Sequence, residues 1–344
     1  MPAWVSGLRR YEAPSSRRAA WQLSNTVVPY LLLFFSLMEA LRRGAPAGVS
    51  FVLAVGAGGF LVRLFGLFHD CVHGSFVADQ RLCRLIGVAL GVLVLTPFGN
   101  WRYFHLAHHA TAADLDRRNT GDIWTLTVDE YWRAPRWQRF KYRVFRSPAV
   151  MFGLGPLVLF LLIHRLPGSR PSRARIVSAL GTDAALLVVA MVLGSRFGLR
   201  AYLLAQLSVL LVGATAGVWL FYVQHQFSPS YWSRHGEWSP LRAALEGSSY
   251  YKLPKVLQWF SASIGLHHVH HLRPRMPNYH LQRCLDATPE LRRIPPLTVR
   301  RSLAALRFRL WDERADRFVG FSAVRGQTQP RSLSLSQSTP GPRR

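Results

Sequence analysis

The chain has 344 residues, of which 49% are hydrophobic and only 17% are charged. Soluble proteins carry about a quarter of charged residues, so this composition argues against two soluble domains. The net charge of +26 could indicate nucleic-acid binding, but the basic residues lie between long apolar segments. In that arrangement Lys and Arg contact lipid headgroups and fix the orientation of the helices. We therefore predict an integral membrane protein without a nucleic-acid partner.

Cysteine usage excludes a disulfide-based fold. The chain contains only Cys71, Cys83 and Cys284, which are too scattered for a disulfide framework. There is no Cys-x-x-Cys pair for zinc or for an iron–sulfur cluster. We expect a reducing compartment, and no signal peptide is predicted because the basic N-terminus lacks a small-residue cleavage site.

The N-terminal part predicts one pair of membrane helices. Residues 1–20 are polar and basic and are expected to lie in the cytoplasm. The apolar segments 21–41 and 49–68 are each close to the roughly 20 residues that cross a bilayer. A short turn joins them, so they should form a hairpin whose second helix leads directly into His69.

Histidines recur in three clusters that begin at this point. Within each cluster the imidazoles share one helix face, because residues i, i+3 and i+4 are neighbours on a helix surface. Together with one histidine that ends the last apolar segment, they form a predicted set of metal ligands: His69, His73, His105, His108, His109, His225, His267, His270 and His271. A single zinc site closes with four ligands, so nine imidazoles exceed one zinc ion.

The choice of metal is not decided by the ligand type, since imidazole suits iron, copper, nickel and zinc alike. Two metals that share neutral imidazoles would remain strongly electrophilic and suited to oxygen activation. Iron is favoured for redox chemistry at an unactivated carbon. Asp70, Asp114 and Asp116 are predicted to hold imidazole N–H groups, although a solvated loop position is equally compatible with them. Spacing assigns no role to His164, His235, His268 or His280.

The requirement that the clusters meet decides which apolar segments cross the membrane. If residues 82–98 crossed once, the first and second clusters would face opposite sides. This segment has only 17 residues and contains Arg84, Gly87 and Gly91, with Pro97 near its end. We predict that it lies in the interface or re-enters.

Three further apolar segments separate the second cluster from the third, at 149–163, 176–194 and 201–223. An even number of them must cross. The first is the shortest and is followed by four arginines, which favours an interfacial position on the cytoplasmic side. The other two are joined by a tight turn and should form the second hairpin.

The expected fold is therefore an all-α integral membrane protein with four transmembrane helices in two hairpins. Interfacial helices and a cytoplasmic helical cap would complete one domain at 21–325, and the cap would carry a di-metal site. Residues 326–344 are rich in Gln, Ser, Pro and Arg and are predicted to be disordered. Both termini and all histidine clusters should lie on the cytoplasmic side.

Several segments resemble the membrane fatty-acid desaturases. They are His69-Asp-Cys-Val-His-Gly-Ser-Phe76, His105-Leu-Ala-His-His-Ala-Thr111, Phe221-Tyr-Val-Gln-His-Gln-Phe227, Gly247-Ser-Ser-Tyr-Tyr-Lys-Leu-Pro254 and His267-His-Val-His-His-Leu-Arg-Pro274. The run from Asp114 to Val128 is similar to that of the acyl-lipid desaturases of bacteria and plastids, of the Δ12 (omega-6) type and its Δ5 bacterial relatives. The resemblance covers about residues 65–290. Two departures are Val72, where the subgroup usually has Gly, and the additional imidazole of His268.

The resemblance implies a non-haem di-iron site held by the nine histidines listed above. The family reaction removes two hydrogens from adjacent methylenes of an acyl chain, with O2 as co-substrate and two electrons. Because no fused haem domain or iron–sulfur pattern is visible in the sequence, the electrons should come from a separate donor such as ferredoxin. The expected substrate is an acyl lipid of the membrane, with glycerolipid favoured as the acyl carrier.

Two alternatives remain open on the sequence. Related di-iron membrane hydroxylases act on alkanes, sterols or carotenoids, and their product would be a hydroxyl group rather than a double bond. A membrane metal transporter should place ionisable residues inside its spans. Here the predicted spans contain few such groups, of which Asp183 is the clearest.

Overall fold

The computed structural model describes residues 2–118, 120–166, 168 and 171–324. The tail predicted to be disordered, 326–344, lies outside the described residues. The first helices are α1 (Ala3–Gly7), α2 (Ser16–Arg42), α3 (Ala47–His73), α4 (Gln80–Leu93) and α5 (Phe98–Thr111). The middle of the chain forms β1 (Leu126–Thr127), α6 (Val128–Arg133), α7 (Arg136–Phe145), α8 (Gly155–Leu161), α9 (Arg173–Phe197) and α10 (Leu199–His225).

The C-terminal part consists of short elements. They are α11 (Pro240–Leu245), β2 (Tyr250–Lys252), α12 (Lys255–Phe260), α13 (His267–Leu272), α14 (Asn278–Ala287), α15 (Pro289–Arg292), β3 (Pro296–Thr298), α16 (Val299–Ser302), β4 (Leu310–Asp312) and β5 (Arg317–Val319). A π-helical turn at Val150–Leu154 precedes α8. We use the name cap for α5 to α7 together with residues 226–324.

Four helices, α2, α3, α9 and α10, are long and apolar enough to cross a membrane. Each has 25 or 27 residues, above the roughly 20 that a bilayer requires. Each of the four apolar segments predicted to span lies inside one of these helices. The all-α membrane class with four candidate spans is confirmed.

Close packing between α3 and α10 depends on two glycines. A Cβ on Gly58 would lie 2.5 Å from a methyl carbon of Val212, and one on Gly213 would lie 2.8 Å from a methyl carbon of Leu61. Only a residue without a side chain allows the backbones this approach. The contact brings the C-terminal ends of α3 and α10 together, where His73 and His225 lie.

The two shorter apolar regions are bent. The axes of α4 and α5 differ by 101°, and those of Arg136–Phe145 and Val150–Arg165 differ by 57°. The segment 82–98 consists of most of α4 and a turn in which Leu95 has a positive φ of 54°. The 14 residues of α4 are too few to span. Its interfacial position stays a prediction.

The cap also contains short strands that the sequence did not predict. Strand β1 pairs in parallel with β4, and β4 pairs antiparallel with β5. Strands β2 and β3 form a separate parallel pair. Strands of two or three residues are too short to show an alternating hydrophobic pattern, so the sequence carries no signal for them.

Candidate metal centre

All nine histidines predicted as ligands converge at one end of the helix bundle. They come from the last turn of α3, from α5, from the final residue of α10 and from α13. The side chains form two groups, and within each group one nitrogen from every ring lies within 4.8 Å of the others. Helical spacing explains the convergence, since each cluster presents its imidazoles from a single face.

The first group contains His69, His73, His105, His109 and His270. The Nε2 atom of His105 lies 2.9 Å from that of His73 and 3.1 Å from that of His109. The Nε2 atoms of His270 and His109 are 3.0 Å apart. Three elements that are distant in sequence therefore point nitrogen atoms at a common centre.

The second group contains His108, His225, His267 and His271. The Nε2 atom of His225 lies 3.1 Å from that of His108 and 3.0 Å from that of His267. The two groups are in contact, because the rings of His109 and His271 stack with centroids 4.1 Å apart. The site is therefore one continuous cluster with two centres.

The arrangement of nitrogen atoms is suited to metal ions. The Nε2 atoms of His105 and His225 each face two other Nε2 atoms, and a single ring proton cannot bond to both. Two imidazole nitrogens bound at right angles to a metal at roughly 2.1 Å would stand about 3 Å apart, as these pairs do. The buried Nε2 atoms of His69 and His271 have no hydrogen-bond partner among the described residues. Each group could thus hold one ion.

Five imidazoles of the cap lie in surroundings that favour the neutral form, which binds metals. Burial, followed by the neighbouring imidazoles, holds the pKa values of His105, His109, His267, His270 and His271 well below the usual value. Neutral imidazole is the form that ligates, since a protonated ring has no free lone pair.

Two hydrogen bonds orient rings of the second group. A carboxylate oxygen of Asp122 lies 2.5 Å from Nδ1 of His108. The carbonyl oxygen of Gly247 lies 3.3 Å from Nδ1 of His225. An acceptor at Nδ1 keeps the proton on that nitrogen and leaves Nε2 free to bind a metal.

The structure places the three predicted supporting carboxylates differently. Asp70 lies beside the first group, but its Oδ1 is 3.6 Å from Nδ1 of His69, and its Oδ2 accepts two hydrogen bonds of 2.7 Å from Asn278. Asp114 accepts from Arg117 and His235. Asp116 accepts from Arg234 and from the backbone of His235.

Asp114 and Asp116 are therefore not brought to the nine histidines. The physical reason is the reversal of the chain after α5, where Ala113 has a positive φ of 62° and Asp114 pairs with Ser233. Asp122 was not predicted from the sequence. The order of residues along a loop does not reveal which of its carboxylates will fold back against α5. The signal for Asp122 was its place inside the run from Asp114 to Val128.

The remaining histidines lie outside the two groups. His164 lies beside Thr96, His235 contacts Asp114, and His280 contacts the carbonyl oxygen of Tyr11. His268 is fully buried beside Tyr250, with ring centroids 5.3 Å apart. Neither of its ring nitrogens makes a hydrogen bond of normal geometry within the described part of the chain, although the backbone of Ser249 is close.

Comparison with known proteins agrees with this architecture. Residues 44–299 match the family model for fatty acid desaturases. A fatty acid desaturase of Bacillus subtilis is 42% identical over 92% of this chain and 89% of its own length. An endoplasmic-reticulum omega-3 fatty acid desaturase of Vigna radiata is 28% identical over 63% of this chain and 59% of its own. An sn-1 acyl-lipid omega-3 desaturase (ferredoxin) of Synechocystis is 29% identical over 65% of this chain and 63% of its own.

Four candidate membrane helices with a polyhistidine cluster at one end define a membrane protein with two groups of side chains that could each hold a metal ion. The chain belongs to the fatty acid desaturase family.

Proposed function

We propose that this protein introduces a cis double bond into an acyl chain of a membrane lipid. The reaction removes two hydrogens from adjacent methylenes. Together with two electrons and two protons from outside, these hydrogens reduce one O2 to two molecules of water. Family membership and the convergence of nine imidazoles support the proposal. The convergence carries it, because it supplies a site where a two-centre metal cofactor could sit.

The proposed cofactor is a pair of non-haem iron ions, which would supply the activation of O2. The ligands in this proposal are His69, His73, His105, His109 and His270 for one ion and His108, His225, His267 and His271 for the other. Asp122 holds the proton on Nδ1 of His108 and so presents Nε2 of that ring. The buried walls of the cluster exclude bulk water from the reacting carbon.

The acyl chain must be held so that one chosen pair of methylenes lies beside the metal centre. Trp101 is placed to form part of that wall, because its ring stacks on His105 with centroids 4.3 Å apart. The names of two relatives specify omega-3 desaturation, and that position of the double bond belongs to those proteins alone.

The electrons come, in this proposal, from an external donor such as ferredoxin. The name of the Synechocystis relative specifies ferredoxin for that protein. The large positive charge of this chain would steer an acidic donor and make the encounter sensitive to salt.

The proposal is tested by expression in a host whose lipids are only saturated and monounsaturated. Mass spectrometry should find new double bonds at one fixed position, and the purified protein should contain close to two iron ions per chain. The variant His270→Ala should lose both the product and metal. A hydroxylated product would favour the alternative of a di-iron hydroxylase, and a fully active His270→Ala variant or a stoichiometric zinc-only protein would contradict the proposal.

A further inference from the structure

Helix α7 presents a large apolar surface to the outside of the cap. Trp137, Phe140 and Val144 lie at positions i, i+3 and i+7, on one side of the helix. Their exposed fractions are 65%, 56% and 43%. The rings of Trp137 and Phe140 stack on each other with centroids 5.6 Å apart. We call these three side chains the α7 face.

The opposite side of α7 is fixed to the cap. Tyr142 is fully buried, and its hydroxyl accepts from the backbone N–H of Leu126 and donates to the carbonyl oxygen of Arg309. Phe145 is half-buried against Trp124, with ring centroids 5.8 Å apart. These contacts fix the orientation of the helix, and the α7 face therefore points away from the cap.

Basic side chains lie in and next to α7, namely Arg133, Arg136, Arg139, Lys141 and Arg143. Two of them contact rings of the cap, because Arg143 donates to the Tyr131 hydroxyl and Arg139 lies over the Trp132 ring. Within the described residues none of them pairs with a carboxylate. The segment 131–182 contains ten Lys and Arg residues and no Asp or Glu. The ammonium group of Lys141 lies 5.5 Å from the centre of the Trp137 ring, so charge and apolar surface are adjacent.

The surface is continuous with a segment built for an apolar environment. The chain passes from α7 into Val150–Arg165. Together these two helical parts are long and apolar enough to cross a membrane, but their axes differ by 57°. Leu154 and Leu162 there are 61% and 59% exposed. An amphipathic helix with exposed Trp and Phe and flanking Lys and Arg is typical of segments that lie in the headgroup layer.

We propose that the α7 face is a docking surface for anionic phospholipid headgroups of the surrounding bilayer. Trp137 and Phe140 enter the boundary between headgroups and acyl chains, and the exposed cations of Arg133, Arg136 and Lys141 bind the phosphates. An acidic soluble protein would match the charge but would not require three large apolar side chains beside a membrane-embedded segment. The membrane is therefore the favoured occupant.

The test uses the full chain in nanodiscs of phosphatidylcholine, with or without phosphatidylglycerol. Hydrogen–deuterium exchange of the amides of Arg136–Phe145 should be at least several-fold slower in the anionic discs, and added salt should reduce the difference. The double variant Arg136→Gln, Lys141→Gln removes two exposed cations and should lose the effect. A matched control, Arg292→Gln, Arg293→Gln, removes two exposed arginines elsewhere in the cap and should keep it.

Three outcomes would overturn the proposal. The first is equal exchange of the α7 amides in neutral and anionic discs. The second is an anionic effect that survives in the Arg136, Lys141 variant. The third is slowing only when an acidic soluble protein such as ferredoxin is added, which would assign the surface to a protein partner. The comparison of neutral with anionic discs uses the wild-type protein, so a folding defect of the variant cannot obscure that comparison.

Discussion

His267 and His268 are neighbours in α13, but their rings have opposite surroundings. Nε2 of His267 lies 3.0 Å from that of His225 in the second group. His268 faces Tyr250, and within the described residues neither of its nitrogens makes a hydrogen bond of normal geometry, although the backbone of Ser249 is close. Burial lowers the pKa of His268 to about 3, so this ring is neutral. A buried polar group without a well-formed hydrogen bond is less favourable than an apolar group of similar shape.

We expect His268→Leu to keep the metal and to leave the stability unchanged or raised by up to about 1 kcal/mol. His267→Leu should lose the ion of the second group, because it removes a nitrogen from the centre of that group. Metal analysis and thermal unfolding of both purified variants measure the difference. Equal loss of metal in the two variants would show that the assignment of the two rings is wrong.

The carboxylate of Asp122 is expected to raise the metal affinity through its contact with His108. Its oxygen lies 2.5 Å from Nδ1 of His108, and both side chains are buried. The variant Asp122→Asn weakens this bond by removing the charge. Partners of this kind contribute about 10- to 100-fold to metal affinity, so we expect a loss in that range, measured by chelator competition.

The matched control is Asp116→Asn. Asp116 was predicted from the sequence to support the site, but it contacts Arg234 and His235 on a partly exposed surface. Its replacement should leave metal affinity unchanged. If Asp116→Asn lowered the metal affinity as much as Asp122→Asn, the contact between Asp122 and His108 would not explain the loss.

At the scale of elements, the sequence predicts what local periodicity determines. The four long helices follow from apolar length, and the shared faces in α5 and α13 follow from the spacing of their histidines. The route of the chain between elements is not local. The positive φ angles at Ala113 and Gly121 decide that Asp122 rather than Asp114 returns to α5, and no short-range pattern encodes that return.

The burial of Arg146 is a second feature that could not be predicted from the sequence, because no local pattern indicates it. Arg146 follows α7 directly, and its side chain is almost fully enclosed. One guanidinium nitrogen donates to Gln226 at 2.8 Å and to the carbonyl oxygen of Phe308 at 3.1 Å, and it lies 3.3 Å from the Tyr222 hydroxyl. Arg146 thus fixes the end of α10, where His225 lies.

Replacing Arg146 with Met should destabilise the cap. Met has similar length but no donors, so the side-chain oxygen of Gln226 would be left buried without a donor at a cost of about 1–3 kcal/mol. The carbonyl oxygen of Phe308 keeps the bonds that it accepts from Tyr222 and Arg309. Chemical unfolding in detergent measures the loss, and Arg133→Met, at an exposed arginine, is the control. Equal stability of the two variants would mean that the buried contacts contribute nothing.

For the whole molecule, the metal centre constrains which segments can cross the membrane. His73 at the end of α3 meets His105 in α5, with Nε2 atoms 2.9 Å apart, so the chain between them begins and ends at one depth. The start of α9 lies beside the start of α5, where Ser178 accepts from the backbone of Gly99 at 2.8 Å. We infer that neither bent pair crosses and that only α2, α3, α9 and α10 do.

This inference predicts the compartments of four positions. Reporter tags placed within residues 1–20 and after Gly326 should both lie in the cytoplasm, because four crossings return the chain to the side where it began. Reporters inserted in the turns at Gly44 and Gly198 should lie on the opposite side. Arginine-rich segments lie beside the cap, and under the positive-inside rule they favour a cytoplasmic position of the cap. Terminal tags in different compartments would require an odd number of crossings, and the bent pair of α4 and α5 or that of α7 and Val150–Arg165 would then have to span.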